Sequence, residues 1–206
     1  MKRCIILAAR PISVQMREYC NEGDYVIAVD AGYENARTLC LTPDLYVGDF
    51  DSADVPKSAV NVVRLPSEKD ETDTYYAAQK AVEEGFTDVL ILGGMGGRFD
   101  HTLANMSTLL YLAKNKVNAI MADENNEISV LLPGSYDISP KDDFFLSFYP
   151  IEPVAKGVTI KHVKYPIENA EIKNTFPICT SNEFNFVPVS ISVKTGGLFM
   201  VLSRKE

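Results

Sequence analysis

Between residues 4 and 122 the chain alternates short, mostly apolar runs with stretches whose apolar residues recur at helical spacing. The runs at 4–9, 25–30, 45–50, 60–65, 89–93 and 119–122 are rich in Ile, Val and Leu, as strands covered on both faces should be. Between them, 13–21, 33–39, 72–84 and 100–114 read as helices. The alternation predicts a parallel-type α/β sheet with helices packed on its faces.

Beyond about residue 124 the helical periodicity disappears. Short runs at 128–132, 144–149, 157–163, 189–194 and 198–202 are separated by Pro, Gly and Asn, the texture of an all-β sandwich. The polar stretch Asp123-Glu124-Asn125-Asn126 marks the expected boundary. The expected fold is therefore an α/β domain over 1–124 followed by a small β-sandwich over 125–206.

Composition narrows the function. With 46% apolar residues in 206, the chain can build a packed core. A net charge of -8 argues against nucleic acid or an anionic membrane as partner, because both need basic surface. Cys4, Cys20, Cys40 and Cys179 form no CxxC pair and are expected as buried thiols. The apolar run after Met1-Lys2-Arg3 is too short for a signal or membrane-spanning segment, so the cytosol is the expected compartment.

In an open α/β sheet, ligands bind beyond the carboxyl ends of the strands, and the polar residues of interest fall there. Asp30-Ala31-Gly32 follows one strand. Asp49 and Asp51 follow another and, in extended chain, would point the same way. Such a pair suits magnesium, which takes a few carboxylates and completes its shell with water and phosphate oxygens. It equally suits Asx-type capping of a turn. Lys69-Asp70-Glu71-Thr72-Asp73 opens a helix, with Asp70 as a candidate N-cap and Asp73 either its partner or a further ligand.

Gly93-Gly94-Met95-Gly96-Gly97 joins a strand to a helix, where backbone N–H groups can approach a phosphate. It matches neither the dinucleotide GxGxxG pattern nor a Walker A loop. Arg98, Asp100 and His101 follow it directly and bring a bidentate phosphate donor, a carboxylate and an imidazole together. In the β half, Tyr165 beside Pro166 could stack on a flat heterocycle, and Thr180-Ser181-Asn182-Glu183 clusters polar groups.

Taken in order, these segments resemble the thiamine pyrophosphokinase family. The resemblance lies in VDAGYENA at 29–36, PDLYVGDFDS at 43–52, KDETD at 69–73 and GGMGGRFDHTLAN at 93–105. It continues through KYPIENA at 164–170, TSNE at 180–183 and SISVKTGGLFMVLS at 190–203, and so spans nearly the whole chain. It implies a nucleotide-binding catalytic α/β domain, a thiamine-binding and dimerising β-sandwich, and a homodimer with thiamine sites between subunits.

Carried over residue by residue, Asp49, Asp51 and Asp73 would form the magnesium and diphosphate site, with Asp30 and Asp100 close by. Lys69, Thr72, Gly97, Arg98 and His101 would line the ATP phosphates. Tyr165, Ser181, Asn182 and Glu183 would belong to thiamine. Two departures stand out: Tyr165 replaces a tryptophan common in the family, and Ala8-Ala9-Arg10 replaces glycine-rich or Asn-Gly sequence after the first strand.

The activity implied is transfer of the diphosphate of ATP to thiamine, giving thiamine diphosphate and AMP. Either Asp73 or Asp100 could accept the alcohol's proton. The carboxylate cluster and phosphate loop would also suit a magnesium-dependent phosphohydrolase or a non-catalytic nucleotide or thiamine sensor.

Overall fold

The structure is a computed structural model that describes residues 3–50 and 59–205. The chain divides into two compact units, Met1–Glu124 and Asn125–Glu206.

In the first unit, β1 (Arg3–Leu7), β2 (Tyr25–Val29), β3 (Leu45–Gly48), β4 (Val62–Arg64), β5 (Asp88–Leu92) and β6 (Asn118–Ala122) lie in the order β4-β3-β2-β1-β5-β6. Every neighbouring pair is parallel. Cys4, Ile5, Ile6 and Leu7 of β1 are fully buried, as a central strand with helices on both faces requires. On one face Ile5, Leu7, Leu90 and Leu92 join Met16 and Leu39 in a single cluster.

Among the described residues three α-helices accompany the strands: α1 (Gly32–Thr38), α2 (Asp73–Glu83) and α3 (Phe99–Lys114). The stretch expected as a first helix at 13–21 tightens into a 3-10 helix at Val14–Tyr19. In α2, buried Ala77, Ala78 and Ala81 allow close approach to the sheet. Thr72, rather than Asp70, caps this helix, its side chain accepting from the Tyr75 N–H at 3.2 Å. The correction has a simple cause: the backbone turns helical only at Asp73, so the hydroxyl immediately before it reaches the orphan N–H.

The chain order sets the site. After β1 the chain builds β2, β3 and β4 to one side, then crosses to β5 on the other. The loops leaving β1 and β5 therefore diverge around a switch point, where an open α/β sheet has its ligand crevice.

The second unit contains β7 (Asn126–Leu131), β8 (Gly134–Ile138), β9 (Phe144–Pro150), β10 (Val154–Lys161), β11 (Ile167–Lys173), β12 (Val189–Val193) and β13 (Leu198–Arg204). β13 pairs antiparallel with β7 and β9. A four-stranded antiparallel sheet has the order β11-β10-β12-β8. Leu146 and Phe148 of β9 meet Val158, Ile160, Val189 and Ile191 in one core. Both strands absent from the sequence reading, β8 and β11, are edge strands of this sheet.

All four cysteines are free thiols, but Cys40 is exposed. The expectation of four buried thiols fails there because Cys40 sits after α1 in a left-handed turn, φ 53°, on the surface. No helix among the described residues is long and apolar enough to cross a membrane.

Candidate active site

A cleft of about 650 Å³ opens at the carboxyl ends of the parallel strands of the first unit. Of the residues singled out in the sequence, it brings together Asp30, Asp49, Lys69, Thr72, Asp73, Gly97, Arg98 and His101. Asp100 stands outside the lining, and Asp51 lies outside the described residues.

The carboxylate side is built by β2, β3 and the start of α2. Asp30 ends β2 in a left-handed conformation, φ 49°, with its N–H donated to Val47 O at 2.9 Å. This bend turns its carboxylate over Gly48, where a Cβ would lie 2.2 Å from Asp30 Oδ1. Only glycine leaves that space. The strand ends at Gly48 and Phe50 adopts φ 55°; the expected same-side pairing of Asp49 with Asp51 lies outside the described residues.

Lys69 stands among these acids. Its Nζ lies 2.9 Å from Asp73 Oδ1 and 3.9 Å from Asp49 Oδ2. Burial opposes its charge, but contact with Asp73 and the charges of Asp49 and Asp30 outweigh that and raise its pKa. Apart from the Lys69 ion contact, Asp73 Oδ1 has no hydrogen-bond partner among the described residues. Asp30 Oδ1 is buried with none. Burial first, then the adjacent Asp73 carboxylate, push the Asp30 pKa up to about 7. Burial, the Asp73 charge and a hydrogen bond with the Asp73 side chain together favour the protonated form of Asp30, against the pull of Lys69.

The opposite wall comes from the β5–α3 connection. Gly93 adopts φ 71°, and a Cβ there would lie 2.6–2.8 Å from Arg10 O, Ala8 O and Asn35 Nδ2. Arg98 forms a two-pronged pair with Asp100, Nη2 to Oδ2 at 2.6 Å and Nε to Oδ1 at 3.2 Å. That pairing, chiefly, holds the Asp100 carboxyl below its ordinary range.

Two buried asparagines escaped the sequence reading. Asn35, 3% exposed, donates from Nδ2 to Ala8 O at 2.7 Å and Arg10 O at 2.8 Å. Its Oδ1 accepts from the Ile12 N–H at 3.2 Å. Asn105 donates to Gly94 O at 2.8 Å. The available signal was an amide beside apolar helix positions such as Ala36 and Leu109, where a buried polar group needs partners.

In the second unit, Tyr165, Ser181, Asn182 and Glu183 are also brought together. Asn182 bonds both the N–H and C=O of Tyr165. Glu183 pairs with Lys164 at 2.6 Å and Lys205 at 3.7 Å. The Lys164 ammonium also lies 5.4 Å from the centre of the Tyr165 ring. Ser181 is held through its N–H by Ser147 Oγ at 2.9 Å. His162 is exposed and bonds Pro188 O through Nδ1 at 3.0 Å.

A parallel α/β unit with a charged cleft at its switch point, followed by an antiparallel β unit, defines a two-unit α/β–β protein. The family comparisons make the assignment specific. Residues 16–121 match the thiamin pyrophosphokinase catalytic domain, and residues 135–198 match its vitamin B1 binding domain. The chain belongs to the thiamine pyrophosphokinase family.

Among its relatives, the thiamine pyrophosphokinase of Bacillus subtilis is 30% identical over 212 residues, 98% of this chain and 99% of that one. Thiamin pyrophosphokinase 1 of Caenorhabditis elegans is 26% identical, with 96% and 88% covered. The crystal structure of the Bacillus subtilis enzyme superposes with a TM-score of 0.90 at 29% identity, covering both chains completely. That of the Geobacillus thermodenitrificans enzyme gives 0.88 at 28% identity, over 100% of this chain and 99% of the other.

Proposed function

We propose that the chain transfers the diphosphate of ATP to the hydroxyl of thiamine, with the first-unit cleft as the phosphate-transfer site. The observation that carries this is the pairing, in one cleft, of an acidic group around Lys69 with the Gly97, Arg98 and His101 wall. Such an arrangement suits a polyanion that arrives with a divalent cation.

Magnesium fits the donor set. Asp49 and Asp73 offer hard oxygen ligands, Asp51 is the third member of the expected set, and the unpartnered Asp30 Oδ1 lies beside them. No three His, Cys, Asp or Glu side chains among the described residues form a ready metal cage. Magnesium does not need one, since it commonly binds through one or two carboxylates plus substrate phosphates. When bound, it supplies charge neutralisation on the phosphate oxygens.

The residues of the chain then align and discharge the reaction. The thiamine hydroxyl attacks the β-phosphorus in line. The bond from that phosphorus to the bridging oxygen of AMP breaks, and its electron pair leaves with AMP. Arg98 takes charge on the phosphates, and Lys69 can exchange its contact with Asp73 for a phosphate oxygen. The hydroxyl's proton passes to a carboxylate of the cleft: Asp73 lines it, whereas Asp100 stands outside the lining, forked onto Arg98.

The cluster of Tyr165, Ser181, Asn182 and Glu183 serves thiamine, with the exposed Tyr165 ring as its stacking surface. Phe176, Ile178, Phe186 and Val187 are exposed in the same unit and support a homodimer. The free thiols suit the cytosol.

The test is incubation of the purified protein with ATP, magnesium and thiamine, measuring thiamine diphosphate and AMP together. Equal yields that vanish when thiamine or magnesium is omitted establish the reaction. ADP or free phosphate, formed without thiamine, would replace this reading with a hydrolase.

A further inference from the structure

We propose that Arg10 is a phosphate-binding residue of the cleft, acting beside Lys69 and Arg98 and held in place by Asn35. The inference rests on the reading that the cleft takes a nucleotide polyphosphate.

Arg10 lines the cleft from the loop after β1, on one side of the switch point, and faces the glycine loop on the other. A Cβ built on Gly97 would lie 3.6 Å from Arg10 Cδ and 3.7 Å from Nη1. The guanidinium therefore runs along the same backbone that is expected to approach phosphate.

The other two strong cations in the lining are already engaged. Arg98 is forked onto Asp100, and Lys69 contacts Asp73. Arg10 takes no ion pair among the described residues, and its guanidinium is exposed to the cleft. Glu124 is near enough to feel its charge. The lining also carries Asp30, Asp49, Glu71 and Asp73, all of one sign with a polyphosphate. A cation available without first breaking a pair reduces that repulsion.

The backbone of Arg10 is held by hydrogen bonds. Its N–H donates to Gly93 O at 3.1 Å, and its C=O accepts from buried Asn35 at 2.8 Å. Asn35 also holds Ala8 O and Ile12 N, so three backbone groups of one loop converge on one amide. With its backbone already held, Arg10 has only side-chain rotamer freedom to lose when its guanidinium meets phosphate with both N–H prongs.

The experiment is equilibrium binding of inorganic triphosphate, ATP and adenosine to wild type, Arg10→Ala and Arg10→Lys, without magnesium. Triphosphate and ATP should bind Arg10→Ala about tenfold more weakly, with adenosine unchanged. Arg10→Lys should recover part of the loss, since it restores the charge but not the fork. Unchanged triphosphate affinity in Arg10→Ala overturns the proposal, as does an equal loss for adenosine or no triphosphate binding by wild type. A wild type that makes no thiamine diphosphate, yet loses triphosphate affinity on Arg10→Ala, overturns the proposed reaction and upholds Arg10.

Discussion

Asn182 grips Tyr165 at both ends of its backbone: its Oδ1 accepts the Tyr165 N–H at 3.0 Å and its Nδ2 donates to Tyr165 O at 2.9 Å. The amide is buried, 6% exposed, whereas the tyrosine is 58% exposed. One residue thus sits in the wall of the unit and holds out the other. Asn182 Oδ1 also accepts the Glu183 N–H at 2.9 Å, so its hydrogen-bonding capacity is directed at backbone.

This assigns Asn182 a positioning role and separates its effect from that of Tyr165. Tyr165→Ala should raise the KM for thiamine about tenfold and leave the KM for ATP unchanged. Asn182→Ala should reproduce that pattern and also cost roughly 1–3 kcal/mol of stability, since partly buried backbone partners lose their bonds. Steady-state kinetics with each substrate varied, beside urea unfolding, would check both; an effect on the KM for ATP alone would move Tyr165 out of the thiamine site.

Asp73→Asn keeps shape but removes charge from the group around Lys69. Turnover should fall by orders of magnitude at saturating magnesium while circular dichroism remains that of the wild type. Near-wild-type turnover would remove Asp73 from the phosphate-transfer site.

The Asp30 shift gives a signed pH dependence. Its folded pKa of about 7 lies above the ordinary 3.8, so the folded protein binds this proton more tightly than the unfolded chain. The stability contributed is fully present below about 3.8 and is lost as pH rises through about 7. In chelator, Asp30→Asn should therefore flatten the fall in urea midpoint across that window. An unchanged slope would show that the carboxylate ionises without strain.

Gly93 and Gly85 share a left-handed backbone, φ 71° and 74°, but differ in surroundings. A Cβ at Gly93 would strike two carbonyl oxygens and the Asn35 amide, whereas at Gly85 nothing lies within 4 Å. Gly85→Ala should cost about 1 kcal/mol from backbone strain, and Gly93→Ala at least about 2 kcal/mol more. Equal thermal shifts for the two variants would mean that the loops beside Gly93 yield easily.

The β1–β6 pattern was legible because strands buried on both faces carry little but apolar residues, and one such run is hard to mistake. The edge strands were not. Gly134–Ile138 and Ile167–Lys173 expose much of their length, and in the latter Asn169 at φ 47° accompanies a register shift that breaks the alternation. The cleft residues were legible as short motifs at strand ends. Their mutual engagement was not, because the Arg98–Asp100 fork depends on side-chain directions at the start of α3. Asn35 was hidden for a further reason: its partners are backbone atoms, which leave no trace in residue type.

The Asn35 stitches, together with the bond from Arg10 N–H to Gly93 O, fasten the two loops that flank the switch point to each other. The entropy of ordering this wall is therefore lost when the chain folds, and a polyphosphate meets an edge already in shape. Association of inorganic triphosphate with this wall should accordingly be fast, with little dependence on temperature beyond that of diffusion, because the loops after β1 and β5 are already fastened before the anion arrives.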